Sequence, residues 1–140
     1  MRVRGAMRET KIENAIIKSV RLGYDRGTFL CPWLHLDGDS WGCGMGGYVC
    51  DKKGAEPWSP SLTGFYVMRV LNVLEVDEWE KVPGTHCRVE TEGWGGGIVR
   101  LGHWCKDQWF NPAEELAEEL RARSVHAYEE RPSAETVNVP

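Results

Sequence analysis

Two runs of period-two patterning, joined by a short glycine turn, restrict the first third of this chain to a β-hairpin. Over residues 11–22 the apolar side chains of Ile12, Ile16, Val20 and Leu22 share one parity. In a strand, residues of one parity line one face, so these four are expected on the buried side of a half-covered strand. The segment Gly23-Tyr24-Asp25-Arg26-Gly27 supplies the turn. Residues 28–37 read as a second strand, with Phe29, Cys31 and Trp33 on one face and Leu30, Leu34 and Leu36 on the other. Two apolar faces predict a strand covered on both sides. Pro32 has no N–H for the ladder, which predicts an edge or a bulge there.

The glycine-rich segment 38–47 leads into a third expected strand, Tyr48-Val49-Cys50. A loop with Pro57, Trp58 and Pro60 follows. Ser61 or Thr63 then caps a helix over residues 65–74 that buries Phe65, Met68, Leu71 and Leu74. Past Trp79 and a Pro83-Gly84 turn, residues 86–92 and 97–106 form two strands linked by Gly93 and Gly95 to Gly97. Asn111 as N-cap, Pro112 at the first helical position and Glu114 three residues after the cap open a final helix. Glu119 and Arg123 on it are spaced for an i, i+4 pair. The order βββαββα predicts an α+β fold: an antiparallel β-sheet with one packed helix and a C-terminal helix. Residues 1–10 are expected as a flexible arm, 11–128 as a single α+β ligand-binding domain, and 129–140 as a disordered tail.

Bulk properties remove several functions. With 17 basic and 21 acidic side chains and a net charge of −4, the chain lacks the clustered cations of a duplex-binding protein. Its five cysteines, an odd count without C-x-x-C spacing, suit reduced thiols inside a cell. No apolar run approaches the ~18 residues of a membrane span, and the basic N-terminus lacks the apolar core of a signal peptide. Cys31, Cys43, Cys50, His35, Asp37 and Asp39 match no zinc or calcium spacing, so no metal or other cofactor is expected. None of His35, His86 and His103 can be paired with a cysteine nucleophile from sequence, which predicts a binding protein rather than an enzyme. The glycines of segment 38–47 run into a strand and no Lys-Ser/Thr follows them, so this is not a phosphate-binding P-loop. Glycine there admits a close backbone, a neighbouring subunit or a flat ligand.

In the last strand Val99, Leu101, His103 and Cys105 share one parity, which places His103 on an apolar face as a core histidine bonded to a backbone carbonyl. Arg100 and Trp104 share the opposite face, where a guanidinium can lie on an indole. Arg69 lies on the first helix, and Arg121 and Arg123 lie on the last. Arginine forks and aromatic rings around glycine-cleared space are what a phosphate and a purine require. The seven tryptophans exceed the needs of one core, so some are expected to line a pocket or an interface.

Four blocks carry a family likeness. They are Lys11-Ile12-Glu13-Asn14-Ala15; Leu34-His35-Leu36-Asp37 running to Gly46-Gly47-Tyr48; Val76-Asp77-Glu78-Trp79-Glu80 before Pro83-Gly84; and Gly102-His103 through Lys106-Asp107-Gln108-Trp109-Phe110-Asn111-Pro112. In these blocks the chain resembles the phage anti-defence sponge proteins of the Thoeris anti-defence type, which sequester cyclic ADP-ribose signals made by bacterial TIR-domain proteins. The resemblance implies a phage protein acting in the host cytoplasm as a homo-oligomer, dimer or hexamer, with ligand pockets at or near subunit contacts. It implies sequestration without cleavage, of a cyclic ADP-ribose isomer and also, in some relatives, of the cyclic oligonucleotides of CBASS in separate sites. The ligand-binding residues it implies, together with the reading of the last strand, are Arg69, Trp94, Arg100, His103, Trp109, Arg121 and Arg123. Asp39-Ser40-Trp41, Cys43 and Met45 interrupt the glycine run of the family pattern, and the loop at 51–63 is longer. Two other functions fit the composition: a protein–protein inhibitor of a host defence complex, anti-CRISPR-like and using exposed tryptophans, and a small hydrolase.

Overall fold

A computed structural model describes residues 9–48, 50–56, 59–92 and 97–130, with side chains described as far as Arg123. The α+β expectation holds: seven strands form one sheet, and two helices pack on it. The elements are β1 (Lys11–Asp25), β2 (Phe29–Gly38), β3 (Trp41–Met45), β4 (Asp51–Lys52), α1 (Leu62–Leu74), a 3-10 turn (Trp79–Lys81), β5 (His86–Thr91), β6 (Ile98–His103), β7 (Trp109–Phe110) and α2 (Pro112–Glu130). Spatially the sheet runs β3-β2-β1-β5-β6-β7, with β4 also paired to β2, and every pairing is antiparallel. The final helix includes residues 129 and 130, expected as tail. Residues 1–8 and 131–140, and with them Val49, Trp58 and Trp94, lie outside the described residues.

The hairpin is present, but β1 buries different residues from those expected. Ile12 and Ile16 are 51% and 41% exposed, while Ala15 and Ile17 enter the core. The cause is a bulge between Ile17 and Ser19, where one extra residue reverses the facing of the strand. Before it the odd residues face the helices; after it Val20, opposite Leu34, faces them. Leu22 stays 48% exposed near the hairpin tip. That tip is a two-residue turn in which Arg26 and Gly27 both have positive φ, the geometry that matches strand twist.

The β2 strand has Leu34 and Leu36 fully buried under the helices, yet among the described residues no second layer covers its other face, contrary to expectation. On that side Cys31 is buried and Phe29 and Trp33 are half-buried: Cys31 Sγ lies 3.6 Å from the carbonyl of Tyr48, and Trp33 lies on the glycine segment. Pro32 sits where β2 changes partner from β4 to β3, the irregular position predicted for it. The third strand is Trp41–Met45, inside the glycine segment; of the expected Tyr48-Val49-Cys50, Tyr48 and Cys50 are not in a strand and Val49 lies outside the described residues. The alternation Trp41-Gly42-Cys43-Gly44-Met45 is itself period two, and cross-strand pairing to β2 overrides the low strand preference of glycine.

Helix α1 starts three residues earlier than expected. Ser61 Oγ accepts from the Gly64 N–H at 2.8 Å and donates to Asp51 Oδ2 at 2.5 Å, while Asp51 Oδ1 accepts from the Leu62 N–H at 2.8 Å. A strand residue thus puts negative charge at the helix N-terminus. The buried face is Leu62, Tyr66, Val70, Val73 and Leu74, and Met68 is 47% exposed. Steps of three from Phe65 drift around a 3.6-residue helix, whereas steps of four from Leu62 stay on the sheet side. Strand β6 ends at His103 rather than residue 106, because the chain turns there to add the short strand β7, which sequence reading missed.

The core joins Ile17, Leu34, Leu36, Met45, Val89, Leu101 and Phe110 from the sheet to Tyr66, Val70, Val73 and Leu116 from the helices. Tyr66 meets Phe110 edge-on with ring centroids 5.1 Å apart. On the uncovered face, tryptophans lie on glycines. A Cβ at Gly102 would fall 2.5 Å from the Trp109 ring, and one at Gly46 would fall 2.5 Å from the Trp33 ring. The Gly102→Ala variant should therefore lose about 1–3 kcal/mol in chemical denaturation through overpacking. Gly97→Ala, with nothing within 4 Å of the new methyl, is the control and should change stability little.

Candidate functional site

Of the arginines singled out by sequence, Arg69, Arg100 and Arg123 are paired within the fold. Arg69 on α1 donates from Nε to Glu115 Oε1 at 2.7 Å and from Nη2 to the Trp109 carbonyl at 2.8 Å, with its guanidinium 5.4 Å from the Phe110 ring centre. It ties α1, β7 and α2 at one point. Glu115 also accepts from the Asn111 N–H at 3.0 Å, so it makes the return bond of the helix cap, one turn position beyond the expected Glu114. Arg100 pairs with Glu90 and stacks 4.1 Å from the Trp109 ring centre, not on Trp104, which lies beyond the strand end. Arg88, which sequence reading missed, lies 4.9 Å from the same ring and donates to the carbonyls of His103 and Lys106. Arg123 pairs with Glu119 at 2.8 Å as expected. Arg121 is exposed on α2 beside Glu114 and Glu118. Trp94 lies outside the described residues. The structure thus brings Arg69, Arg100 and Trp109 together, with Arg88, around the β6–β7 ribbon.

His103 is buried at 6% exposure, as its parity predicts, but backbone amides and not a carbonyl satisfy it. Its Nδ1 accepts from the N–H groups of Cys105 at 3.1 Å and Lys106 at 3.0 Å. The single lone pair is thereby committed, and the ring proton must sit on Nε2, 3.8 Å from Glu75 Oε1. Cys105 Sγ lies 3.7 Å from the same Nδ1. A cysteine two residues from its histidine, facing it across a tight turn, is invisible to a spacing rule. Even so, Nδ1 has no free lone pair to take a thiol proton, so this contact is not an activated nucleophile. Glu75 closes α1 with a left-handed φ of 59°, and its carboxylate accepts from Lys106 Nζ at 2.8 Å and Gln108 Nε2 at 3.2 Å. The Lys106 and Gln108 hydrogen bonds hold its titration below the usual carboxylate range. The cluster is a latch between the helix end and the β6–β7 turn.

The uncovered face has a different character around the β1 bulge. There Lys18, Ser19, His35, Asp37, Gly42 and Gly44 border an open depression of about 470 Å³. In register, Asp37 lies between Ile16 and Gly42, and His35 lies between Ser19 and Gly44. Both glycines belong to the edge strand β3; beside the Asp37 carboxylate the floor at Gly42 is bare backbone, while at Gly44, beside His35, the edge of the Trp33 ring reaches it. A Cβ at Gly42 would stand 3.2 Å from Asp37 Oδ1. Lys18, His35 and Asp37 are exposed, and none makes a side-chain hydrogen bond or ion pair among the described residues. Sequence reading marked the glycines as space for a flat ligand but named none of these three side chains as ligand-binding. The signal lay in glycines alternating opposite polar residues of the neighbouring strand. Among the described residues no group of three or more His, Cys, Asp or Glu is arranged to hold a metal, and no helix is long and apolar enough to cross a membrane.

Comparison with known protein families, curated proteins and solved structures returned no match for this chain.

Two measurements follow from this geometry. Arg69→Met keeps the aliphatic stem but removes the pair with Glu115 and the bond to Trp109, and with the side chain 25% exposed it should cost about 1–2 kcal/mol in urea unfolding. Burial pushes the Cys87 thiol up to about 12 and, with help from Cys31, the Cys50 thiol up to about 11, both from 9.0. Unfolded thiols ionise first, so this stability is complete below about pH 9 and is lost as pH rises toward 12. Cys87→Ala should flatten the fall in stability between about pH 9 and about pH 12, read from paired urea titrations.

Proposed function

We propose that this chain is a non-catalytic binding protein that sequesters a nucleotide-derived second messenger. The reading takes it as a phage anti-defence protein acting in the host cytoplasm as a homo-oligomer. Its ligand would be a cyclic ADP-ribose isomer of Thoeris TIR signalling or a cyclic oligonucleotide of CBASS. The observation that carries the reading is the glycine-floored depression, whose cation, carboxylate and imidazole have no partners within the described chain. Exposed charges left unpaired over bare backbone suit a small polar ligand, and about 470 Å³ falls within the ~300–1,000 Å³ of small-molecule sites. The likeness of the four sequence blocks to the sponge proteins supplies the ligand class. The committed lone pair of His103 favours binding over turnover.

A second reading has its own support. Trp104 is 60% exposed and Ile12 and Ile16 are 51% and 41% exposed, the aromatic and aliphatic anchors that a protein–protein inhibitor uses.

Isothermal titration of the purified protein with cyclic ADP-ribose isomers and cyclic oligonucleotides distinguishes the two. Sequestration predicts a saturable heat with at least one of them, and the same molecule, chemically intact, recovered in the supernatant after heat denaturation. No binding across the panel removes the reading in favour of the inhibitor. Recovery of a cleaved product in molar excess over protein makes the chain a hydrolase.

A further inference from the structure

Resting on the reading that the chain holds a nucleotide-derived messenger, the chemistry of the depression narrows what it grips. Lys18 occupies the bulge in β1, while Asp37 and His35 stand two residues apart on β2, on the side away from the helices. The Lys18 ammonium and the Asp37 carboxylate border one depression and, among the described residues, neither is paired. A ligand that serves both must carry an anion for the lysine and hydroxyl donors for the carboxylate. A carboxylate is acceptor-only and takes two donors side by side, the pattern of a vicinal diol, whereas it repels phosphate. The ammonium is a point charge suited to phosphate oxygens. Gly42 leaves the backbone bare beside the Asp37 carboxylate, while the edge of the Trp33 ring reaches Gly44 and bounds the floor on that side.

We infer that the depression seats one ribose–phosphate unit of the messenger. The Asp37 carboxylate accepts from the two ribose hydroxyls, Lys18 pairs with the phosphate, and His35 hydrogen-bonds at the rim over Gly44. The arginines at 69, 100 and 123 stay in their internal pairs.

The test is calorimetric titration of cyclic ADP-ribose into the full chain and three variants. Asp37→Ala should weaken binding about 10- to 100-fold, and Lys18→Met about 10-fold with a flatter dependence on salt. Gly42→Ala, whose methyl would crowd the Asp37 carboxylate at 3.2 Å, should weaken binding with no loss of melting temperature. An analogue lacking both hydroxyls of the same ribose should bind the parent as weakly as cyclic ADP-ribose binds Asp37→Ala. All three positions are on the open face, so the variants should melt like the parent; should Asp37→Ala fail to fold, the other two decide. A parent that binds while every variant binds within twofold of it overturns this assignment and leaves sequestration standing. A parent that does not bind cyclic ADP-ribose overturns the assignment, and sequestration itself falls only if the cyclic oligonucleotides also fail.

Discussion

The extra residue in β1 sets the arrangement of everything around it. This 15-residue strand pairs with β5 through its first half and with β2 through its second, and the two pairings meet at Ile16. Both halves must present apolar side chains to the same pair of helices, but the sequence changes parity between Ile17 and Val20. The bulge absorbs that change. With it, Ala15 and Ile17 before it and Val20 after it meet one core. Without it, one half of the strand would turn its apolar residues to water. The same irregularity lifts Lys18 out of the ladder on the uncovered side, where it forms one wall of the depression.

That uncovered side is organised by rings on glycines. Trp109 lies on Gly102 with Arg88 and Arg100 stacked against it, and Trp33 lies on Gly44, Gly46 and Gly47. An indole laid flat on bare backbone gains contact area without a second layer of structure, and guanidiniums add cation–π attraction of about 0.5–2 kcal/mol each. This explains how a sheet with helices on one face keeps Cys31 buried and Trp33 and Trp109 half-buried on the other. It also explains much of the high tryptophan and glycine content, which is structural before it is functional. The stretch around Gly42, with no ring above it, stays open.

The arginines illustrate how one residue type serves two purposes. Arg69 closes the cap of α2 through Glu115 and satisfies the Trp109 carbonyl, so its charge is spent within the fold. Arg100 is likewise matched by Glu90. Lys18, by contrast, is unpaired among the described residues and borders the same depression as Asp37 and His35, which are likewise unpaired among them. Polar groups placed together without partners carry more information about a ligand than charges that neutralise each other.

Much of the fold was legible in the sequence. Alternation marked the hairpin and the last long strand, Ser61 was one of two caps offered for a helix placed three residues late, and Asn111-Pro112 marked the start of α2, because these signals act over a few residues and need no distant partner. Phase was not legible. Which parity of β1 is buried depends on a bulge fixed by two neighbouring strands, and the buried face of α1 depends on where its first turn is capped by Asp51 from β4. Strand β3 hid in a run of glycines because its order comes from pairing with β2. The site follows the same division: the sequence placed glycines after Asp37 and an arginine on an indole, but it set Arg100 against Trp104, whereas the structure puts it on Trp109. Only the tertiary structure decided that Arg69, Arg100 and Arg123 are internally matched while Lys18, His35 and Asp37 border one open depression, since a charge is free or spent according to the neighbours that folding brings to it.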